Sequence, residues 1–309
     1  MNLKVGSFFS GIGGFELGFE KAGFKTVFQC EIDQFCQRVL GDKWPKVKRF
    51  TDIREIDEKE LPTADVWTGG FPCQDLSLAR MGKREGLGGS KSGLFFQFAN
   101  LIKQRTPRVI LIENVPGLLS SHEGRDFGIV LSTLAEIGYS VGWRVLNSKF
   151  FGVPQSRQRL YLVGCYRDGQ GPSKILFDAE RRGGDPAKNK KNGTKPIPTF
   201  KDVIGKTGKE KPVYQAIAYC LYATSARHTG TDWSRTYVSY PDKGMVRRLI
   251  PKECEGIMGF PTGWTDVGRP DENEEVIDSH RYHALGNAVT PPVIYSLAAN
   301  IKDYLENYI

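Results

Sequence analysis

Short apolar segments alternate with helical patterns along the first 166 residues of the chain. Apolar residues recur with the helical period most clearly over 93–104 and 124–137. Six other short apolar segments are bounded by glycine, proline or charge, as buried strands are; they are 3–9, 25–30, 64–68, 108–112, 140–146 and 159–166. The alternation predicts an α/β fold with a doubly wound, mainly parallel sheet, in which ligands bind at the carboxyl ends of the strands.

The pattern changes at residue 170. Glycine, proline, lysine and asparagine dominate up to 212, short β-like pieces such as 236–239 follow, and 292–309 is amphipathic and helical. We therefore predict a main domain that comprises 1–169 plus 280–309. A smaller, irregular domain with few helices is predicted to span 170–279.

The charge of the chain points to a polyanionic partner. The 309 residues carry a net charge of +8, while the hydrophobic fraction of 39% and the charged fraction of 25% are those of an ordinary globular protein. Residues 174–211 hold eleven Lys or Arg and five Asp or Glu. A solvated surface run and a phosphate-facing segment both fit this stretch.

Cysteine and histidine spacing gives no metal site. The cysteines, at 30, 36, 73, 165, 220 and 254, form no Cys-x-x-Cys pair, and the histidines complete no zinc spacing. We therefore expect no metal. Free thiols, the lack of a signal-peptide layout and the lack of an apolar run of ~18–20 residues predict a cytoplasmic protein without a membrane segment.

A glycine-rich loop follows the first predicted strand. Residues 9–14 read Phe-Ser-Gly-Ile-Gly-Gly and lead into a predicted helix over 15–21. Glycines allow a tight turn and let a ligand approach the backbone at a helix N-terminus. Glu16 stands where a dinucleotide fingerprint has its third glycine, which disfavours an NAD-dependent oxidoreductase.

Two carboxylates follow along the chain, Glu31 at the end of the segment 25–30 and Asp52 at the end of the next short segment. Glu31, twenty residues after Gly11, can accept both hydroxyls of a ribose. Asp52 can accept from an exocyclic amine, and Ile53 can pack on a purine face. Together with the glycine-rich loop, these residues predict an adenosine pocket. The alternative is that Glu31 and Asp52 only begin helices as N-terminal acids.

A cysteine and a glutamate follow the next two strands. Cys73 lies in a loop after the strand 64–68, before a glycine-rich stretch, where a thiol can act as a nucleophile; a buried, inert cysteine is the alternative. Adjacent parallel strands lie ~4.8 Å apart, so Glu113 and Cys73 can reach one ligand. Arg157 and Arg159 share a face at strand spacing, which suits either recognition of an anion or carbonyl or surface ion pairs.

With these motifs in order, the chain resembles the cytosine carbon-5 DNA methyltransferase family, of bacterial or phage type, over nearly its whole length. The matching motifs are 9–14 with Glu31, Pro72-Cys73-Gln74, Glu113-Asn114-Val115, 155–159, 247–261 and 286–289. One departure is Ser7, where many members carry aspartate. The resemblance implies a Rossmann-like methyltransferase domain and, at 170–279, a target-recognition domain.

The resemblance also implies the ligands and their residues. S-adenosylmethionine is the expected cofactor, and double-stranded DNA is the expected partner of a monomeric enzyme. The residues expected to bind the cofactor are Phe9, Gly11, Gly13, Glu31, Ile32, Asp52, Ile53, Pro72, Leu94, Asn287 and Val289. The residues expected around a flipped cytosine are Cys73, Glu113, Arg157 and Arg159. The residues expected to contact DNA are Gln74, Ser77, Arg80, Lys83, Arg84, Arg227 and Arg235.

An RNA methyltransferase and a catalytically silent regulator are the two remaining alternatives. An RNA cytosine methyltransferase would share the chemistry, but the tRNA-acting relatives carry a Cys-Phe-Thr signature that is not found in this chain. A catalytically silent DNA-binding regulator predicts damage to Cys73, Glu113 or the cofactor loops. All of these are intact.

Overall fold

The computed structural model describes residues 2–72, 93–177, 216–223, 236–240, 243–268 and 271–308. Its main feature is a seven-stranded sheet with the order β3-β2-β1-β4-β5-β7-β6. The strands are β1 (Lys4–Phe8), β2 (Lys25–Cys30), β3 (Lys48–Phe50), β4 (Val66–Gly69), β5 (Val109–Asn114), β6 (Tyr139–Asn147) and β7 (Gln158–Tyr166). A separate antiparallel pair joins β8 (Tyr237–Tyr240) to β9 (Met245–Arg248).

The sheet is mainly parallel, as the sequence predicts. The strands β3, β2, β1, β4 and β5 run parallel to one another, and β7 is antiparallel to both β5 and β6. Each of the six predicted strands is present with ends within two residues of the prediction. The strand order reverses between β1 and β4. Such a switch point is where open α/β sheets bind ligands.

Helices cover both faces of the sheet. They are α1 (Gly14–Lys21), α2 (Gln34–Lys43), α3 (Leu94–Arg105), α4 (Arg125–Ile137), α5 (Gly171–Leu176), α6 (Pro251–Met258), α7 (Glu274–Asn287) and α8 (Pro291–Asn307). Successive side chains of a strand point to opposite faces. Accordingly, Ile110 and Ile112 of β5 pack with α3 and α4, whereas Val109 and Leu111 pack with α1, α5 and α8. This is the doubly wound arrangement.

A third apolar core joins the two ends of the chain. It packs Val39 and Leu40 of α2 with Ile257 and Met258 of α6 and with Leu285 of α7. The described part of 170–279 holds the short helices α5 and α6 and the start of α7. The boundary predicted between 279 and 280 falls within α7. The division into two domains stays a prediction.

Within the described part of the chain, no helix combines the length and the apolar character that a membrane crossing needs.

Candidate active site

A cavity of about 480 Å³ opens at the carboxyl ends of β1, β2, β4 and β5. This volume lies in the range of ~300–1,000 Å³ that is typical of small-molecule sites. Most of the residues predicted to bind a cofactor line it, namely Phe9, Gly11, Glu31, Ile32, Asp52, Ile53, Pro72, Leu94 and Asn287. Glu113, Arg157 and Arg159 line the same cavity. The structure therefore brings the predicted adenosine pocket and the predicted reactive groups to one place.

Two of the predicted cofactor residues lie behind the cavity wall. Gly13 has a left-handed backbone (φ 85°), and a β-carbon there would lie 2.3 Å from the Trp44 ring. Val289 packs on α1, where a β-carbon on Gly14 would lie 2.7 Å from its Cγ2. Both residues shape the glycine-rich loop from its core side and do not line the cavity.

The Glu31 carboxylate is held in a fixed orientation. The backbone N–H of Gly11 donates to Oε2 (2.6 Å), and that of Asp33 donates to Oε1 (2.8 Å). Burial raises the pKa of Glu31, and these two hydrogen bonds oppose the rise. Asp33, which accepts from the Cys36 N–H at 2.8 Å, caps α2. Because Asp33 caps α2 and Glu31 does not, the fixed carboxylate of Glu31 is available to a ligand in the cavity.

Asp52 lies at the cavity and also begins a turn. It lines the cavity, and it also caps a 3₁₀ turn (Ile53–Glu55) by accepting from the Arg54 N–H at 2.9 Å. The Arg54 Nε donates to Oδ1 and Oδ2 of Asp52, each at 3.0 Å, and this hydrogen bonding lowers the pKa of Asp52. Beside it, Ile32 leaves 60% of its surface exposed. An apolar face therefore stands next to a carboxylate that stays ionised.

Glu113 and Arg159 form a buried ion pair at the other end of the cavity. The Arg159 Nε lies 3.0 Å from Oε1 of Glu113. Burial raises the pKa of Glu113, and the charges of Arg159 and Arg157 offset this only in part. A β-carbon on Gly70 would lie 3.2 Å from Oε2 of Glu113, so a larger residue at this position would press on the carboxyl. The parallel pairing of β4 with β5 confirms that the chain leading to Cys73 runs beside Glu113.

Arg157 differs from Arg159 in its partners. It is buried, and its two Nη atoms donate to the carbonyl oxygens of Leu221 (2.9 Å), Gly286 (3.0 Å) and Ala288 (2.8 Å). These bonds tie the segment that carries Asn287 to the start of β7. Arg157 lines the cavity; its two Nη atoms hold the wall of the cavity together, whereas its buried Nε has no hydrogen-bond partner among the described residues.

Two site residues have no role in the sequence interpretation. The Asn114 Nδ2 donates to the carbonyl oxygen of Phe71 at 3.0 Å, two residues before Cys73. The signal in the sequence is an asparagine next to Glu113 at the end of an apolar strand. His283 lines the cavity one helical turn before Asn287, and the sequence interpretation considers it only as a metal ligand. Among the described residues, no group of three or more His, Cys, Asp or Glu side chains is placed to hold a metal ion.

Several predicted residues lie outside the described residues, and their roles stay predictions; they are Cys73, Gln74, Ser77, Arg80, Lys83, Arg84, Arg227 and Arg235. Pro72, the residue before Cys73, lines the cavity.

Comparisons with known proteins agree on one family. Residues 3–216 and 176–303 match the family model described as C-5 cytosine-specific DNA methylase. The type II methyltransferase M2.BsuMI of Bacillus subtilis (strain 168) is 31% identical over 321 residues, which cover 97% of this chain and 75% of that protein. The type II methyltransferase M.HhaI of Haemophilus parahaemolyticus is 28% identical over 326 residues, which cover 98% of this chain and 95% of that protein.

A solved structure shares the fold. The crystal structure of the S. pombe Dnmt2 methyltransferase superposes with a TM-score of 0.75 at 18% identity, covering 99% of this chain and 100% of that chain.

Proposed function

The chain belongs to the family of C-5 cytosine-specific DNA methylases, and we propose from this membership that its cavity holds the methyl donor and an extruded cytosine side by side. The protein is a DNA cytosine-5-methyltransferase. The observation that carries the proposal is that Glu31 and the Glu113–Arg159 pair line one continuous cavity. The donor belongs at the Glu31 end and the base at the Glu113 end.

The residues at the Glu31 end fit S-adenosylmethionine. The fixed carboxylate of Glu31 can accept both ribose hydroxyls, and Ile32 and Ile53 offer apolar surface to the adenine. Three lining carboxylates, those of Glu31, Asp33 and Asp52, suit a ligand that carries a sulfonium and an ammonium. When bound, S-adenosylmethionine supplies an electrophilic methyl group.

The residues at the other end activate the base. Carbon 6 of cytosine is stacked in the duplex, so the base must leave the helix at a cost of a few kcal/mol. We propose that the Cys73 thiolate then forms a bond to carbon 6, which moves an electron pair towards carbon 5 and makes that carbon nucleophilic. Once carbon 5 has bonded to the methyl group, it gives up its proton to a base while the bond from carbon 6 to Sγ breaks, which restores the aromatic ring and the thiolate.

Glu113 and Arg159 stabilise the charge that this addition places on the ring. A carboxyl whose pKa is raised by burial can share a proton with ring nitrogen 3. The adjacent guanidinium of Arg159 can donate to the carbonyl oxygen, where negative charge also develops. Ring nitrogen 3 and the carbonyl oxygen are neighbours on one edge of cytosine, as the two side chains are in the cavity.

Substitution of Cys73 tests the nucleophile. Cys73→Ser should abolish methyl transfer to duplex DNA and leave binding of DNA and of S-adenosylhomocysteine intact. Cys165→Ser is the control, because Cys165 lies in the apolar core under α8 and does not line the cavity, and it should keep its turnover. A duplex with fluorine at carbon 5 of the target should form a complex with wild-type protein that survives denaturation, and none with Cys73→Ser. Turnover by Cys73→Ser at a rate comparable to wild type would refute the covalent route.

The substrate is tested separately. Labelled methyl groups should enter duplex DNA and not tRNA, and bisulfite sequencing of DNA from cells that express the protein should show methylated cytosines in one sequence motif. Preferential methylation of tRNA would instead favour the RNA alternative.

A further inference from the structure

One segment of the predicted target-recognition domain, residues 216–223, lies against the base end of the cavity. Ala218 joins the chain ahead of β7 in a short backbone ladder. Its N–H donates to the carbonyl oxygen of Pro154 (2.7 Å), and its carbonyl oxygen accepts from the N–H of Ser156 (2.9 Å). Because β7 carries Arg159, the segment is linked by backbone hydrogen bonds to the strand that presents the proposed base site.

Gln155 holds this segment through its side chain. It is fully buried, and its Oε1 accepts from the N–H of Leu221 at 3.1 Å. Its Nε2 donates to the carbonyl oxygen of Ile257 (3.2 Å) and to Sδ of Met258 (3.0 Å), both at the end of α6. A single side chain therefore fixes the segment 216–223 to α6 and to the chain ahead of β7.

The same segment contacts the two cavity arginines. The carbonyl oxygen of Leu221 accepts from Nη1 of Arg157 at 2.9 Å. Sγ of Cys220 lies 3.4 Å from Nη1 of Arg157 and 3.9 Å from Nη1 of Arg159. Leu221 is thus held by Gln155 on one side and by Arg157 on the other. Its neighbour Cys220 reaches the guanidinium of the proposed base site.

Tight packing leaves the segment little freedom to move. A β-carbon on Gly286 would lie 2.2 Å from the backbone N of Ala223 and 2.3 Å from the backbone C of Tyr222. The backbones of the segment and of the cavity wall are therefore in direct contact. Close-packed interiors transmit strain, so a displacement of the segment would reach Arg159. A misplacement of about 1 Å at reacting groups can cost about 10²-fold in rate.

We propose that Gln155 is a positioning residue that couples recognition of the DNA sequence to the chemistry at the base. Contacts with the correct sequence hold the segment 216–223 in place. Gln155 and Arg157 then fix Arg159 for the extruded cytosine. Binding energy gained away from the reacting atoms is in this way used to orient them. The inference rests on the proposed function, because it assumes that the base lies at this end of the cavity.

The ratio of two methylation rates tests the coupling. Bisulfite sequencing first identifies the target motif. Single-turnover rates are then measured on a duplex with that motif and on a duplex with one base pair changed outside the target cytosine. Gln155→Met keeps the length of the side chain but leaves the N–H of Leu221 without its acceptor. It should slow the first duplex more than the second, so that the ratio falls by about tenfold or more. Its affinity for S-adenosylhomocysteine should equal that of wild type.

Asn300→Leu is the matched control. Nδ2 of Asn300 on α8 donates to the carbonyl oxygen of Ile175 on α5 at 3.0 Å, so this amide also joins two elements, and it does not line the cavity. Its loss should leave the ratio of the two rates unchanged, even where the unfolding temperature falls.

Cys220→Ala is a second variant that tests the same link at a partly exposed position. It removes the thiol beside the two arginines and leaves the hydrogen bonds of Gln155 in place. The ratio of the two rates should fall by ~2–10-fold.

The other outcomes decide against the inference. Equal slowing of both duplexes by Gln155→Met, or unchanged rates, overturns it, because a purely structural role lowers both rates alike. Weaker binding of S-adenosylhomocysteine by this variant does the same. If Gln155→Met does not fold, an unchanged ratio in Cys220→Ala overturns the coupling. If wild-type protein methylates no duplex, the proposed function itself fails, and this role of Gln155 with it.

Discussion

Nε of Arg159 lies 3.0 Å from Oε1 of Glu113, and the two side chains expose only 15% and 11% of their surfaces. The two residues come from neighbouring antiparallel strands, β5 and β7, in which Asn114 pairs with Leu160. A rigid sheet thus presents a carboxyl and a guanidinium together at the cavity. Such fixed, buried donors stabilise developing charge without reorganising during the reaction.

Glu113→Gln should slow methyl transfer without weakening cofactor binding. The amide keeps the shape of the side chain but cannot share an acidic proton with ring nitrogen 3. We expect the single-turnover rate on duplex DNA to fall by about 10²–10⁴-fold, with an unchanged affinity for S-adenosylhomocysteine. A rate within a few fold of wild type would remove Glu113 from the proposed mechanism.

Replacing each of the two cavity arginines by methionine should affect stability and activity differently. Arg157→Met leaves three buried carbonyl oxygens without their donor, so the free energy of unfolding should fall by about 3 kcal/mol or more. Arg159→Met should lose methyl transfer and change stability less. Urea denaturation and a single-turnover assay on both variants provide the comparison. Equal stability losses would contradict the distinction drawn from their partners.

The sequence predicts the site best where function depends on strand ends. Glu31 and Glu113 each come directly after an apolar segment, and parallel strands bring such ends to one edge of the sheet. No knowledge of distant contacts is needed for this step. The same reasoning places Gly70 beside Glu113, because β4 and β5 are neighbours.

A pattern in the sequence does not predict the hydrogen-bond partners of the two arginines. Alternating spacing puts Arg157 and Arg159 on one face, but Arg157 meets Leu221, Gly286 and Ala288, which are 64, 129 and 131 residues away along the chain. Similarly, Gly13 and Val289 each belong to a motif that matches the family. Only the packing of Trp44 on Gly13 and of Val289 on α1 shows that both residues lie behind the cavity wall. Long-range packing decides these cases.

Glu31→Ala should weaken every adenosine ligand alike. The carboxylate is aimed by two backbone N–H groups at the position proposed for the ribose, and S-adenosylhomocysteine and 5′-methylthioadenosine share that sugar. We expect both affinities to fall by about tenfold or more in equilibrium dialysis. Loss of only S-adenosylhomocysteine binding would place the ribose away from Glu31.

Glu16 occupies a fully buried position on α1, where a dinucleotide fingerprint would have glycine. Burial raises the pKa of its carboxyl from 4.5 to about 7, and the neighbouring Ser7 and Ser10 side chains lower it by less. The folded protein therefore holds a proton on Glu16 at pH values where the unfolded chain has released it.

This proton should make the stability of the protein depend on pH. Between pH 4.5 and about 7 the folded state binds more protons at Glu16 than the unfolded state does, so stability falls as pH rises, by on the order of 3 kcal/mol in total. Glu16→Gln removes this dependence. Its free energy of unfolding relative to wild type should increase from pH 4.5 to pH 7 and then level off. Glu20→Gln, exposed on the same helix, controls for the lost charge. A difference between Glu16→Gln and wild type that stays constant with pH in urea denaturation would show that Glu16 is ionised in the fold.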